Sequence, residues 1–243
     1  MLSNIEKVLM GNDYPGRGII IGHSDDGNCA VIVYFIMGRS ENSRNRIFEK
    51  TSDGIQTAAF IPELLTDPSL VIYSPVRTIN GHIVVTNGSQ TDTIYKYLEN
   101  GESLTNALNE WSFEPDPPIY TPRISGVVNP DGTYLLSILR TKNGDPSECE
   151  RCVFEYASPT PGIGHFISTY NNDGNPPPSF KGEPKAVEIS SYDNIENFAK
   201  MIWNSLNSEN KVSLYTLEHN FITGKTNSII INKHEEGTKI CKN

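Results

Sequence analysis

The chain has 243 residues, 37% of them hydrophobic, with a formal net charge of −9 and a sequence pI near 5.1. That length can bury a full core without staples, and no apolar run reaches a membrane span, so one domain over residues 1–243 with no membrane partner is expected. The acidic balance excludes a nucleic-acid groove, which needs a basic face, but admits a small anion held by a few local arginines.

The N-terminus, Met1-Leu2-Ser3-Asn4-Ile5-Glu6, carries no basic region or signal-peptide core, which places the protein in the cytoplasm by expectation. Ser3 with Glu6 fits a capping box opening a short helix through Met10. Residues 18–23 and 28–37 read as strands joined by Ser24-Asp25-Asp26-Gly27. The run Ala30-Val31-Ile32-Val33-Tyr34-Phe35-Ile36-Met37 is β-branched and aromatic, the pattern of a strand buried on both faces. Residues 38–53 are polar and predicted irregular. Residues 70–79 and 82–86 read as strands around Asn80-Gly81, a strong hairpin turn signal.

Helices are predicted over residues 92–100 and 103–111, with Gly101 at the C′ position of the first. Residues 113–122 are too proline-rich for a helix or a central strand. A hairpin follows, 124–128 and 133–140 around Asn129-Pro130-Asp131-Gly132, then strands at 152–156 and 164–170 and a loop at 171–179. Ile195, Phe198, Ile202 and Leu206 have the spacing of an amphipathic helix over 193–206, and strands at 211–217 and 227–231 complete the pattern. Hairpin-linked strands with a few segregated helices define an α+β protein with antiparallel sheets.

Several chemical motifs fail. Gly224-Lys225-Thr226 lacks the glycine that a P-loop needs at His219, and Gly16-Arg17-Gly18 with Gly22 is followed by a strand where a dinucleotide fingerprint needs a helix. Cys149-Glu150-Arg151-Cys152 is a lone C-x-x-C, short of the second pair a zinc ribbon requires. The five histidines have no ligand spacing, and no serine sits in a nucleophile elbow. The most informative stretch is Asn87-Gly88-Ser89-Gln90-Thr91-Asp92-Thr93, where a strand gives way to a helix through small polar residues. It suits an anion at a helix N-terminus. It also suits a capped turn, with Thr91 or Asp92 as the cap and Gly88 at positive φ.

Taken with Tyr14-Pro15-Gly16-Arg17-Gly18, Gly38-Arg39-Ser40 with Asn45-Arg46, Tyr73-Ser74-Pro75-Val76-Arg77, Thr121-Pro122-Arg123-Ile124 and Ile167-Ser168-Thr169-Tyr170, this stretch resembles the IMP cyclohydrolase family first recognised in archaea. The segments follow the family's order from about Tyr14 to Tyr170. The Asn-Gly-Ser-x-Thr-Asp-Thr and Thr-Pro-Arg pieces are the specific ones. The chain departs from the compact archaeal form by being longer, with extra residues between Gly38 and Arg46 and around Cys149–Cys152 and Pro176–Pro178.

The resemblance implies an N-terminal-nucleophile-hydrolase-like fold, a four-layer αββα sandwich of two antiparallel sheets. It implies closure of 5-formamidoimidazole-4-carboxamide ribotide to IMP with loss of water, without cofactor or metal. Carried over residue by residue, the catalytic set is Arg46, Tyr73 and Glu114, with Asp116 close enough to compete for the carboxylate role. The expected substrate-binding residues are Arg39, Asn87, Gly88, Ser89, Thr91, Asp92, Arg123 and Tyr170. The partner is a purine ribotide; a homo-oligomer is compatible with the sequence. The competing readings are a purine-ribotide-binding protein without catalysis and an amide hydrolase with an N-terminal nucleophile. Met1-Leu2 ahead of Ser3 disfavours the latter.

Overall fold

A computed structural model of the chain describes residues 2–189, 194–235 and 238–242. A two-residue strand β1 (Ser3–Asn4) leads into helix α1 (Ile5–Met10), then β2 (Arg17–His23), β3 (Cys29–Met37), a one-turn helix α2 (Glu41–Arg44), β4 (Ile47–Lys50) and β5 (Gly54–Ala58). Next come β6 (Val76–Ile79), β7 (His82–Thr86), α3 (Gln90–Glu99), α4 (Leu104–Leu108), β8 (Arg123–Val128), β9 (Tyr134–Lys142) and β10 (Asp145–Tyr156). The last third holds β11 (Ile163–Ser168), β12 (Lys185–Glu188), α5 (Ile195–Ser205), β13 (Lys211–Asn220), β14 (Thr226–Asn232) and β15 (Thr238–Lys242).

Among the described residues these strands form two sheets. The first is ordered β1-β12-β11-β2-β3-β13-β14-β15 and the second β10-β9-β8-β7-β6-β5-β4. Pairing is antiparallel except between β1 and β12. The α+β expectation with two largely antiparallel sheets therefore holds.

Alternation along β3 shows how the sheets stack. Ala30, Ile32, Tyr34 and Ile36 enter one core cluster, which also holds Val76, Ile83, Val85, Ile124, Leu136 and Ile138 from the second sheet. Val31, Val33, Phe35 and Met37 point the other way, into a cluster with Ile5 and Leu9 of α1 and Phe198, Ala199 and Ile202 of α5. On the far side of the second sheet, Val84, Val127 and Leu139 pack against Ile94 and Leu98 of α3 and Leu104, Ala107 and Leu108 of α4. The apolar core thus lies between the sheets, with helices against the outer face of each.

The Asn80-Gly81 turn forms as expected, with φ of 50° and 80°, joining β6 to β7. Gly101 takes φ 76° after α3, as the C′ position requires. Other local expectations are corrected. Asn4, not Ser3, caps α1, its side chain accepting from the Lys7 N–H at 3.0 Å. Residues 38–53 are not irregular: they form α2 and β4, and the Asn45 amide holds both the N–H and the C=O of Ile61. The strand predicted over 70–79 is confined to β6, because Tyr73 is tied to β5 through Thr57 instead of to a ladder. α3 starts at Gln90 behind Ser89, ahead of the predicted start at Asp92, and α4 is shorter than expected. Strands β5 and β12 were not read from the sequence at all. The predicted start of the last helix, Asp193, lies outside the described residues. Cys149 packs toward the α3–α4 cluster and Cys152 toward the cluster between the sheets, so the two thiols occupy opposite faces of β10.

His165 of β11 bridges the two sheets. Its Nδ1 is 2.7 Å from the Tyr134 hydroxyl of β9, and the Tyr156 ring of β10 stacks on it at 3.8 Å. Burial pushes its pKa down from the ordinary 6.5 to about 4. The unfolded chain therefore takes up this proton before the folded one, and stability is lost as the pH falls from about 6.5 toward 4. The thermal midpoint should drop across that window, and His165→Gln should flatten the slope. An identical slope in the variant would show that His165 does not carry the effect.

Candidate active site

The strand termini place the site. Arg17 opens β2 opposite Ile36 near the end of β3, and Ser168 closes β11 opposite Gly18. In the second sheet Val76 opens β6 opposite Val85, and Thr86 closes β7 opposite Ser125 near the start of β8. Polar side chains from both sheets converge at these ends, where the apolar alternation stops.

Arg46, between α2 and β4, is 1% exposed, and its Nε donates to the Ser43 carbonyl at 2.9 Å. Glu114 is 2% exposed in the proline-rich loop, its N–H bonded to the Thr121 carbonyl. Arg17 reaches it with Nη2 to Oε2 at 3.7 Å. Arg123, 4% exposed, lies over the Trp111 ring at 4.8 Å and donates to Gln90 Oε1 at 3.0 Å. Tyr73 is buried, and its hydroxyl is 2.7 Å from that of Tyr34. Tyr170 stacks on Tyr14 at 5.7 Å and shares a 2.8 Å bond with Thr121 Oγ1. Gly16, at φ 76°, permits this fit, since a Cβ there would stand 2.3 Å from Thr169 Oγ1 and 2.5 Å from the Tyr170 ring.

Burial pushes the Glu114 carboxyl above the ordinary carboxylate range, with Arg17 and Arg123 opposing it. Burial likewise lowers the Arg46 and Arg123 pKa values, and the neighbouring Arg17 charge adds to both shifts. The Nε atoms of Arg17 and Arg123 are buried without a hydrogen-bond partner among the described residues. The cluster is therefore a buried, cation-rich group with unspent donors around one carboxylate.

Of the eleven residues named from the sequence, Arg46, Tyr73, Glu114, Asn87, Gly88, Arg123 and Tyr170 come together here. The turn's side chains are tied into the surrounding network. The Asn87 amide donates to Glu114 Oε1 at 3.4 Å and to the Pro122 carbonyl at 2.9 Å. Its oxygen accepts from Gln90 Nε2 and the Ile124 N–H. Thr91 is not the cap: its hydroxyl is buried against Thr86 Oγ1 and the Gly88 carbonyl. Ser89 caps α3 without a side-chain bond. Gly88 is not at positive φ, and its N–H is taken by Thr86 Oγ1. Glycine is needed because a Cβ would stand 2.4 Å from Arg123 Nη1 and 2.7 Å from Gln90 Oε1.

Asp92 does not join the cluster. It is exposed and pairs with Arg77, which also pairs with Asp53. Arg39 lies at the rim, over the Tyr14 ring at 4.5 Å and bonded to Asp173. Asp116 closes its own loop, accepting from the Thr121 N–H at 2.7 Å and the Thr121 hydroxyl at 2.5 Å. Arg17, Tyr34 and Gln90 are the residues the sequence reading missed. Arg17 stood inside a matching motif without an assigned role, Gln90 was the unspecified position of another, and Tyr34 was hidden in an apolar run.

The contacts around Gly88 give a test. The clashing atoms are the far ends of flexible side chains, so Gly88→Ala is relieved by moving Arg123 and Gln90 and costs about 1–3 kcal/mol of stability. The displaced guanidinium should weaken ligand binding or turnover by about tenfold or more. A variant destabilised by several kcal/mol, or one with wild-type function, would contradict this geometry.

The fold and cluster define a class: a two-sheet α+β protein with a cation-rich polar cluster where strand ends of both sheets meet. Comparison with known sequences narrows it. A family model described as IMP cyclohydrolase-like protein matches residues 14–224. A Halobacterium salinarum protein named IMP cyclohydrolase is 37% identical over 131 residues, 52% of this chain and 63% of its own length. A Methanopyrus kandleri protein of the same name is 30% identical over 165 residues, 65% of this chain and 75% of its own. One from Methanocaldococcus jannaschii is 29% identical over 192 residues, 74% and 85%. The chain belongs to the IMP cyclohydrolase-like family.

Proposed function

We propose that this protein closes 5-formamidoimidazole-4-carboxamide ribotide to IMP with loss of water. The observation that carries the reading is the imbalance of withdrawn charge: Arg17, Arg46 and Arg123 around Glu114, in a chain of net charge −9. Cations held away from water are costly unless an anion answers them. A ribotide phosphate, together with negative charge developing on the formyl oxygen, supplies that answer.

In ring closure the carboxamide nitrogen attacks the formyl carbon. The carboxamide and formamide nitrogens each give up one proton, and the former formyl oxygen gains two and leaves as water. Tyr73 donates to that oxygen, Arg46 stabilises its charge with fixed donors, and Glu114 accepts a proton from nitrogen. Its raised pKa makes Glu114 a stronger base than a free carboxylate. Asp116, engaged by Thr121, is the weaker candidate for that role. Arg123 and Arg39 hold the phosphate end, and Tyr170 and Tyr14 offer an aromatic surface to the base. The proposal takes 1–243 as one domain of N-terminal-nucleophile-hydrolase-like, four-layer type, acting in the cytoplasm; helices against both outer sheet faces support the layer order.

Purified protein should form IMP from the formamido ribotide above the uncatalysed rate, with a chelator present. Absence of turnover alongside tight IMP binding would leave a binding protein without catalysis. Tyr73→Phe and Glu114→Gln should each lower kcat by about 10- to 1,000-fold while changing IMP affinity less than about tenfold. Affinity losses that match the kcat losses would make both residues mere ligand holders. IMP should bind more tightly than inosine by about 2–4 kcal/mol if two or three charge-assisted bonds reach the phosphate. Equal affinities by calorimetry would put the phosphate in solvent.

A further inference from the structure

Tyr34 lies within β3, where Ile32 and Ile36 on the same face belong to the core between the sheets. Its ring belongs to that core too, fully buried and stacked on Phe48 at 5.6 Å. Its hydroxyl does not. It reaches 2.7 Å from the Tyr73 hydroxyl, and this bond joins the first sheet to the loop before β6. Two hydroxyls sharing one bond leave the direction of donation to their surroundings. Burial pushes the Tyr34 phenol well above its usual range, so the group keeps its proton. Among the described residues the Tyr73 oxygen is the acceptor the structure gives it. The 2.7 Å contact fits donation from either hydroxyl; with Tyr34 donating, the Tyr73 proton is turned away from Tyr34. Arg17 and Arg46 act electrostatically on the same pair.

We propose that Tyr34 is a positioning residue, whose O–H fixes the Tyr73 hydroxyl so that the Tyr73 proton is left to the reacting oxygen beside the arginines. The proposal rests on the cyclohydrolase reading for its catalytic consequence. During the step Tyr73 gives its proton to the former formyl oxygen. The Tyr34 O–H and the two guanidiniums hold the resulting phenolate until a proton returns from solvent, while Glu114 releases to solvent the proton it took from nitrogen. A phenolate caught by a preset donor needs no reorganisation as its charge appears. Nothing in an apolar strand sequence marks this role, since the ring satisfies the core and only the terminal oxygen reaches the site.

Tyr34→Phe tests it, because the ring and its stacking on Phe48 are kept and one oxygen is removed. In the full-length protein kcat should fall by about tenfold or more, with KM within about twofold and the thermal midpoint little changed. The double variant Tyr34→Phe/Tyr73→Phe should be no slower than Tyr73→Phe, because Tyr34 acts through Tyr73. The Tyr73 Cζ resonance of 13C-tyrosine-labelled, ligand-free protein, assigned by Tyr73→Phe, should move in Tyr34→Phe. Wild-type kcat in Tyr34→Phe, additive losses in the double variant, or an unmoved resonance overturns the assignment. A wild type without turnover counts against the reaction and removes the catalytic consequence, and the resonance still decides whether Tyr34 orients Tyr73.

Discussion

Three guanidiniums are withdrawn from water within the field of one buried carboxylate, and much of the surrounding structure serves to tolerate that. Arg46 and Arg123 are given local partners that carry no counter-charge, and Arg17 is given only a loose one. Arg46 has the Ser43 carbonyl, Arg123 has Gln90 Oε1 and the Trp111 face, and Arg17 has a loose 3.7 Å contact with Glu114. Carbonyls, amide oxygens and π faces reduce the desolvation cost without neutralising the charge. A tight, bidentate pairing with Glu114 would be more comfortable for the apo protein and would leave less for a ligand. Buried Nε atoms on Arg17 and Arg123, without partners among the described residues, are what that compromise leaves.

The apolar frame holds these groups in place because its alternation is strict where it matters. β3 was legible from residue types alone: its even positions face the core between the sheets and its odd positions face α1 and α5. The Asn80-Gly81 hairpin and the face of α5 were legible for the same reason, since each is set by local chemistry or short period. The segments that misled are those held by single long-range side-chain bonds. α2 and β4 depend on Asn45 clasping Ile61, and the stretch before β6 is drawn from a strand into a loop by Thr57. Polar residues that read as loop-formers are here the fasteners, and that use becomes visible only when the partner is known.

Site legibility divides the same way. Arg46, Tyr73 and Glu114 were named from the family resemblance, and the structure brings them into one cluster. Glu114 and Asp116 were indistinguishable in sequence, two carboxylates in one proline-rich loop. The geometry separates them, because Asp116 is spent on the Thr121 N–H and hydroxyl while Glu114 faces the arginines. Asp92 lies apart from that cluster. It belongs to a specific motif, yet its helical position turns it outward to Arg77. A motif records that residues occur together, and a helix beginning at Gln90 sends its neighbours Thr91 and Asp92 to different faces.

The turn at Asn87–Thr91 illustrates how polar chemistry beside a candidate site can be structural in purpose. The N–H groups of Asn87 and Gly88 are not available to a ligand, being taken by the Ile124 carbonyl and the Thr86 hydroxyl. Its side chains instead make a chain of bonds, Arg123 to Gln90, Gln90 to Asn87, Asn87 to Glu114. This chain fixes a cation and the carboxylate relative to each other through two neutral amides, whose oxygens and N–H groups impose an order of donation. Reversing either amide would set donor against donor, so the network has one satisfied arrangement. Such a chain holds charges at a set separation without letting them collapse into a salt bridge, and a glycine at 88 is the space in which its Arg123–Gln90 link lies.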